Sequence, residues 1–496
     1  MRKDVLIDIK KELEDIVLKC NELNKKIEYA IQNDYADDVD AEDASDGDAD
    51  AWEDITTIKP KKVVLDKTMK KLIKINKAQP EQRTGPWYEL RKKMVTASDV
   101  ACTLRNIPDV CDAYFKEFMI NSRDYYKKYK KGSCCNPYSN KKEFIYKKCN
   151  KGKSFTGSIA TRWGQKYEPV ATEIYEKHNK LQVLEFGLMP HPTLEWLGAS
   201  PDGITDKNVM LEIKCPFRRK ITGIPPFYYW IQVQIQLEVC GLKYCDFLEC
   251  TIWEYKTEQD FLDDAPSYGD NHELLGQTLY GKDKGIVGTL VDASKTCQIS
   301  DAQPDDKIED FDFPLTHYYP FTPRVKLDPP TTIKDIYARI TNQFRGVQYY
   351  VLEYVYEKNP KTNRVSKVTG RITLADGTIE EIVSTETALY KAKPDILMQA
   401  CKKYPDKHIL VWTWWKLFED STVRIKRNKK WFKQNSSEIK RIWDLVLYYR
   451  ENSGELDTVE DVDPNEDPVS SDDDESSSDE ESSSIEPPVL DAMVDL

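Results

Sequence analysis

Ser200-Pro201-Asp202-Gly203, followed by Met210-Leu211-Glu212-Ile213-Lys214, sets two acids ten residues apart and a lysine just past the second. The second stretch alternates apolar and polar residues. Alternate residues of a strand share a face, so Glu212 and Lys214 project one way while Leu211 and Ile213 point into a core. Ser-Pro-Asp-Gly is turn chemistry and can present Asp202 beside them. Two carboxylates at one point repel unless a cation lies between them. Mg²⁺ prefers hard oxygen ligands and keeps several waters, so two carboxylates plus a substrate phosphate suit it, and Mn²⁺ can substitute. A bound ion lowers the pKa of a water and polarises a phosphate, and an adjacent lysine can orient that water. Phosphodiester hydrolysis needs this set of groups. Either piece alone is weak, because Glu-x-Lys on a strand is usually an exposed ion pair and Ser-Pro-Asp-Gly an ordinary turn.

The elements around this stretch have to position it. Residues 164–180 put Tyr167, Val170, Ala171, Ile174 and Tyr175 on one face and predict a helix. Residues 228–241 are rich in apolar residues and read as helix or strand, ended by Gly241. Residues 247–255 read as a strand. Residues 408–432 read as two strands, and 438–450 as a helix with Ile439, Ile442, Leu445, Val446 and Tyr449 on one face. Between them, residues 256–405 carry β-like runs separated by turn signals at Asn359-Pro360 and Asp376-Gly377, with no chemical motif.

In order and spacing these segments resemble the PD-(D/E)xK nuclease superfamily, and within it the lambda-exonuclease-like, YqaJ-like viral recombinase family. The family's Gly-x-x-x-Glu falls on Gly164 to Glu168, its Ser-Pro-Asp-Gly on Ser200 to Gly203, and its Glu-x-Lys on Glu212 to Lys214. Its Tyr-x-x-Gln-Val-Gln falls on Tyr229 to Gln234. The resemblance covers roughly residues 80–255 and 408–450. It implies an α/β fold with a restriction-endonuclease-like core, a mixed sheet flanked by helices. Asp202 and Glu212 would be metal ligands with the carbonyl of Ile213, and Lys214 would position or activate the water. Glu168 would hold the metal shell, Gln232 would orient the network, and Tyr229 would lie against DNA. In lambda-type exonucleases an Arg seven residues before the Ser of Val-Thr-Ala-Ser, together with the Ser of Ser-Pro-Asp-Gly, grips a 5′-phosphate. The matching positions are Arg91, Ser98 and Ser200, and fork-shaped donors with hydroxyls suit phosphate. A competing reading makes Thr96 or Ser98 a helix cap. The implied activity is 5′ to 3′ resection of duplex DNA from a free 5′ end, giving overhangs for viral recombination or replication. A single-strand annealing partner and a homo-oligomer go with it. An endonuclease or nickase, or a non-catalytic DNA-binding scaffold, are the rivals.

Composition agrees with a polyanionic partner. The 496 residues carry a net charge of -13, yet residues 34–54 hold 11 acids and no base, and residues 451–496 hold 18 acids and no base. Residues 55–450 are left with a net +16, as nucleic-acid binders are. Residues 127–144, with six lysines and one acid, are basic and aromatic-rich and read either as a DNA contact or as a solvated loop. Leu6, Ile9, Leu13, Ile16, Cys20, Leu23, Ile27 and Ala30 follow a heptad spacing, so 1–33 reads as an amphipathic or coiled-coil helix. Residues 34–57 read as an acidic linker and 451–496 as a disordered acidic tail. Residues 58–255 then form the nuclease core, 256–405 an insertion and 406–450 the completion of the core. The twelve cysteines match no zinc or iron-sulfur spacing and read as reduced thiols, and there is no signal peptide or apolar span. These features predict an intracellular protein away from membranes. The absence of a P-loop argues against ATP-driven unwinding.

Overall fold

The computed structural model describes residues 66–459 apart from short internal segments at 81, 83, 152–158, 265–266, 269–271, 274–275, 295–315, 322–332, 345 and 363. The predicted helix 1–33, the linker 34–57 and most of the acidic tail lie outside the described residues. Among the described residues no helix is long and apolar enough to cross a membrane.

The strands that matter are β1 (Val95–Thr96), β2 (Val183–Leu184), β3 (Leu197–Ala199), β4 (Gly203–Thr205), β5 (Met210–Lys214), β6 (Tyr244–Glu254), β7 (Lys284–Asp292), β8 (Tyr349–Lys358), β9 (Val365–Thr373), β10 (Ile379–Val383) and β11 (His408–Lys426). The helices that bear on the site and its frame are α1 (Gly85–Lys92), α2 (Lys141–Lys148), α3 (Ile159–Asn179), α4 (Phe227–Cys240), α5 (Leu389–Lys403) and α6 (Lys429–Glu451). One sheet runs in the order β10-β9-β8-β11-β6-β5-β4-β2, with β7 also paired to β11. Its pairs are mixed: β5 and β6 are parallel, β6 and β11 antiparallel, β8 and β11 parallel. The fold is therefore the expected mixed α/β sheet flanked by helices.

Two helices sandwich the middle of the sheet. Helix α3 buries Tyr167, Val170, Ala171, Ile174 and Tyr175 against Leu211 and Ile213 of β5. On the opposite face of β5 lies α4, whose apolar-rich sequence resolves as helix. Ten of its fourteen residues are buried, so a run that is apolar all round needs no polar face. It stops at Gly241, whose φ of 71° is left-handed and cheap only for glycine. Gly203 is a close approach instead, since a Cβ there would lie 2.2 Å from Cγ1 of Val183.

Three details differ from the sequence reading. Residues 408–426 form one strand of 19 residues rather than two. The polar run Glu419-Asp420-Ser421-Thr422 looks like a turn but stays paired with β6, and a register shift between Leu417 and Glu419 absorbs the kink. Phe418, at the bulge, stacks on Trp253 at 3.9 Å. Residues 429–432 belong to α6, not a strand, because Asn428 accepts from the backbone N–H of Trp431 at 2.9 Å and caps the helix. Residues 256–405 do not stand apart, since β7 and β8 pair directly with β11.

Candidate active site

Strand alternation does what the sequence predicts. Leu211 and Ile213 face α3, while Glu212 and Lys214 share the face toward α4. Glu212 is fully buried and is held at both carboxylate oxygens. Gln232 Nε2 donates to its Oε1 at 2.7 Å, and Gln236 Nε2 donates to its Oε2 at 2.7 Å. The Lys214 ammonium also pairs with Oε1. Asp202 reaches the same place from the turn, accepting the backbone N–H of Ile213 at 2.7 Å. Burial raises the Asp202 carboxyl well above its usual range, and the negative charges of Glu212 and Glu168 push it further than Lys214 and the Ile213 N–H pull it back. Glu168, on α3, thus belongs to the same cluster. Burial disfavours the Lys214 ammonium, but Glu212 and Asp202 outweigh it and hold the lysine charged. Its Nζ lies 4.8 Å from the centre of the Tyr229 ring, a cation–π contact.

The structure brings Arg91 and Ser98 together. The Arg91 guanidinium, 4.5 Å above the Trp87 ring, donates to Ser98 Oγ at 3.3 Å and Thr96 Oγ1 at 3.2 Å. Thr96 sits at the cap position of a short 3₁₀ turn but makes no side-chain cap bond; its hydroxyl donates to Asp99 Oδ2 at 2.7 Å. Asp99 also pairs with Lys148 at 3.0 Å and Lys147 at 3.3 Å. Burial would raise the Asp99 carboxyl, yet Lys148, Lys147 and Arg91 hold it well below the usual range. Ser200 follows β3, the strand paired with β1, and no hydrogen bond to Arg91 or Ser98 is formed by its hydroxyl. β1 and β3 are parallel with Thr96 opposite Gly198, so Ser98 and Ser200 each lie two residues beyond a paired position. Ser200 Oγ is buried and has no hydrogen-bond partner among the described residues, while its carbonyl accepts from Gln236 at 3.3 Å.

Gln236 is the residue the sequence reading passed over. It stands four residues after Gln232, so both fall on one helix face and clamp one carboxylate. Gln234 lies between them and points elsewhere, donating to the Lys426 carbonyl at 2.9 Å. That i, i+4 glutamine pair was the available signal.

Among the described residues no set of three or more His, Cys, Asp or Glu closes on a point as a metal cage would. The donor set nevertheless fits Mg²⁺, which takes one or two carboxylates and fills its remaining positions with water and phosphate. Burial, with Glu212 and Glu168 beside it, raises the proton affinity of Asp202, and a bound cation would offset those charges. The ten described cysteines are free thiols, and burial pushes Cys111 and Cys240 up to about 12.

Comparison with known proteins bears on the same segment. Residues 130–243 match the model of the YqaJ-like viral recombinase domain. Uncharacterized protein R354 of Acanthamoeba polyphaga mimivirus is 26% identical over 344 residues, 65% of this chain and 49% of that protein, so the chain spans about half the length of this relative. The crystal structure of an alkaline exonuclease (LHK-Exo) from Laribacter hongkongensis shares 27% identity over 34% of this chain and 74% of that one, with a TM-score of 0.24. A SOX–DNA complex shares 10% identity over 77% of this chain and 72% of that one, with a TM-score of 0.22. Superpositions of that quality carry nothing about the fold, which rests on the strand order above. The matched segment, residues 130–243, is the one that supplies Glu168, Asp202, Glu212, Lys214 and Gln232, and it is similar to the YqaJ-like viral recombinase domain.

Proposed function

We propose that this protein is a metal-dependent deoxyribonuclease that resects duplex DNA from a free 5′ end, leaving single strands for viral recombination or replication. The observation that carries this reading is the buried Glu212 carboxylate, paired with Lys214 and held by Gln232 and Gln236, with Asp202 fixed on the backbone N–H of Ile213 beside it. Asp202 and Glu212, with the carbonyl of Ile213, would hold Mg²⁺ or Mn²⁺, and Glu168 would hold its surrounding waters. Once bound, such an ion polarises the scissile phosphate and lowers the pKa of a water. Lys214 donates to the attacking water and steadies the negative charge that grows on it. Gln232 and Gln236 fix the Glu212 carboxylate, so it spends no freedom in reaching its working orientation. Tyr229 props the Lys214 ammonium from below.

Arg91 is charged at any relevant pH, and its fork can bond a terminal phosphate through two donors. Ser98 and Ser200 add hydroxyls, and the unpartnered Ser200 Oγ supports that role. A single-strand annealing protein and a second copy of this chain are the partners that go with resection.

A linear duplex labelled at its 3′ ends and a covalently closed circle, each incubated with Mg²⁺, test the proposal. Stepwise loss of 5′ nucleotides from the linear duplex, with the circle intact, is the expected result. Opening of the circle would make the protein an endonuclease or nickase. No cleavage of either would leave only a DNA-binding scaffold.

A further inference from the structure

An aromatic path leads from the candidate active site to the surface. Lys214 Nζ lies 4.8 Å from the Tyr229 ring, Tyr229 lies 4.2 Å from Tyr228, and Tyr228 meets Tyr138 edge-on at 5.7 Å and 88°. Tyr138 is 76% exposed. Exposure of one tyrosine means little by itself, since apolar atoms make up much of any protein surface. This one is different in two ways. Its ring continues a series of rings that begins at the lysine of the active site, and its loop is fastened from below.

The loop carries Tyr138 on fixed backbone. Cys135 N–H donates to the Leu104 carbonyl at 2.9 Å, and Asn106 N–H donates to the Ser133 carbonyl at 2.8 Å. Asn106 Nδ2 donates to the Cys134 carbonyl at 3.1 Å. Asn136 Oδ1 accepts the N–H of Tyr138 itself at 2.9 Å, an Asx turn that sets the ring's exit direction. The chain around the ring is net basic: residues 127–144 hold six lysines against one acid, Glu143, while Arg219, five residues after Lys214, is paired with Glu249. Aromatic rings set among lysines and arginines are how proteins hold single-stranded nucleic acid, with bases on the rings and phosphates on the cations.

We infer that Tyr138, backed by Tyr228, is a stacking platform for an unpaired base of the DNA strand beside the Asp202–Glu212 site. The inference rests on the nuclease reading and adds to it a place where single-stranded DNA is held. Tyr228 supports the Tyr138 ring from its edge, so the outer face of Tyr138 meets the base. Stacking is sequence-tolerant because every base has a π-face, which suits an enzyme that must move along any sequence.

Fluorescence anisotropy of a labelled single-stranded oligonucleotide of mixed sequence, with full-length protein in EDTA, tests it. Tyr138→Ala should weaken single-strand binding by roughly 5- to 150-fold, the range for loss of one base–aromatic stack. Tyr138→Phe keeps the ring and should stay within about twofold of wild type, whereas Tyr138→Leu keeps bulk without the π-face and should follow Tyr138→Ala. Wild-type affinity in Tyr138→Ala or in Tyr138→Leu would overturn the platform. Cleavage by Asp202→Asn, measured in parallel with Mg²⁺, separates the two levels. If that variant is inactive and Tyr138→Ala binds normally, only the platform falls. If that variant still cuts, the site assignment falls as well.

Discussion

At the end of β6, Glu254 lies between two lysines, with Lys166 at 2.9 Å and Lys393 at 3.3 Å. At the end of the neighbouring β5, one lysine, Lys214, faces Glu212 and Asp202, and Glu168 adds its negative charge beside Asp202. Helix α3 supplies both places, Lys166 to the first and Glu168 to the second. Burial alone would raise the Glu254 carboxyl, but Lys166 and Lys393 outweigh it and hold it well below the usual range. Burial also raises Asp202, and there the neighbouring carboxylates add to the shift. Glu254 further accepts from Tyr167 Oη at 2.8 Å, and Lys166 donates to Thr413 at 2.8 Å. The first cluster is complete and fastens α3 and α5 to the sheet. The second sets more than one carboxylate against one ammonium, an arrangement that burial makes costly. Carboxylates raised by burial and by like charges in one place are found at functional sites, which is the ground for the proposal above.

The largest expected effect breaks the second cluster. Asp202→Asn or Glu212→Gln removes a ligand charge and keeps the shape. Loss of a group that only orients a metal ligand costs about 10- to 100-fold, so loss of a ligand should lower cleavage by more than about 100-fold. Gel assays of DNA binding and cleavage should show binding kept and cutting gone. Near-normal cutting in either variant would erase the contrast.

The first cluster should respond in stability instead. Glu254→Gln leaves Lys166 and Lys393 buried without their carboxylate and should cost roughly 3 kcal/mol, read from urea unfolding. The protein that remains folded should cut at the wild-type rate. A normal unfolding midpoint would mean that this cluster fastens nothing.

How much of this contrast could be read from the sequence depends on the range of the interaction. Asp202, Glu212 and Lys214 were legible because turn chemistry and strand alternation are local, whereas Arg91 with Ser98 came only from the resemblance to lambda-type exonucleases. Glu254 was invisible. Its partners lie 88 and 139 residues away in the chain, and no local period encodes such a meeting. The joining of residues 284–292 and 349–358 to the core sheet was hidden for the same reason, since strand pairing across the sheet is set by packing. The single strand 408–426 was misread because a bulge, not a turn, absorbs its polar stretch.

Two predictions sharpen the site itself. Arg91 can make hydrogen bonds to a charged phosphate, each contributing roughly 1.5 to 3 kcal/mol. Arg91→Ala should therefore slow digestion of 5′-phosphorylated ends by about 10- to 150-fold and affect 5′-hydroxyl ends much less. An undiminished preference for 5′-phosphate would remove Arg91, Ser98 and Ser200 from that role. Gln236→Ala should cost about 10- to 100-fold in cleavage rate, because it frees one oxygen of Glu212. A wild-type rate would show that Gln232 and Lys214 suffice.

The smallest effect is on stability against pH, and the two clusters should show opposite signs. Glu254 has a lowered pKa, so its contribution is present above the usual carboxylate range and is lost as pH falls. Asp202 has a raised pKa, so its contribution is present at low pH and is lost as pH rises through the raised value. In metal-free protein, thermal melts across pH should lose the acid-side decline in Glu254→Gln and part of the alkaline-side decline in Asp202→Asn. Identical profiles for the two variants would contradict the opposite balance of charge.

The central claim, that Asp202 and Glu212 would hold a divalent cation beside Lys214, is tested most directly by calorimetric titration of Mg²⁺ into wild type, Asp202→Asn and Lys214→Ala. Wild type should bind the ion. Asp202→Asn should bind it at least about 10-fold more weakly, through loss of a ligand. Lys214→Ala should bind it at least as well as wild type, because an ammonium that competes for the same carboxylates is gone, although it should no longer cut DNA. Equal Mg²⁺ affinity in wild type and Asp202→Asn, or loss of binding in Lys214→Ala, would contradict the account.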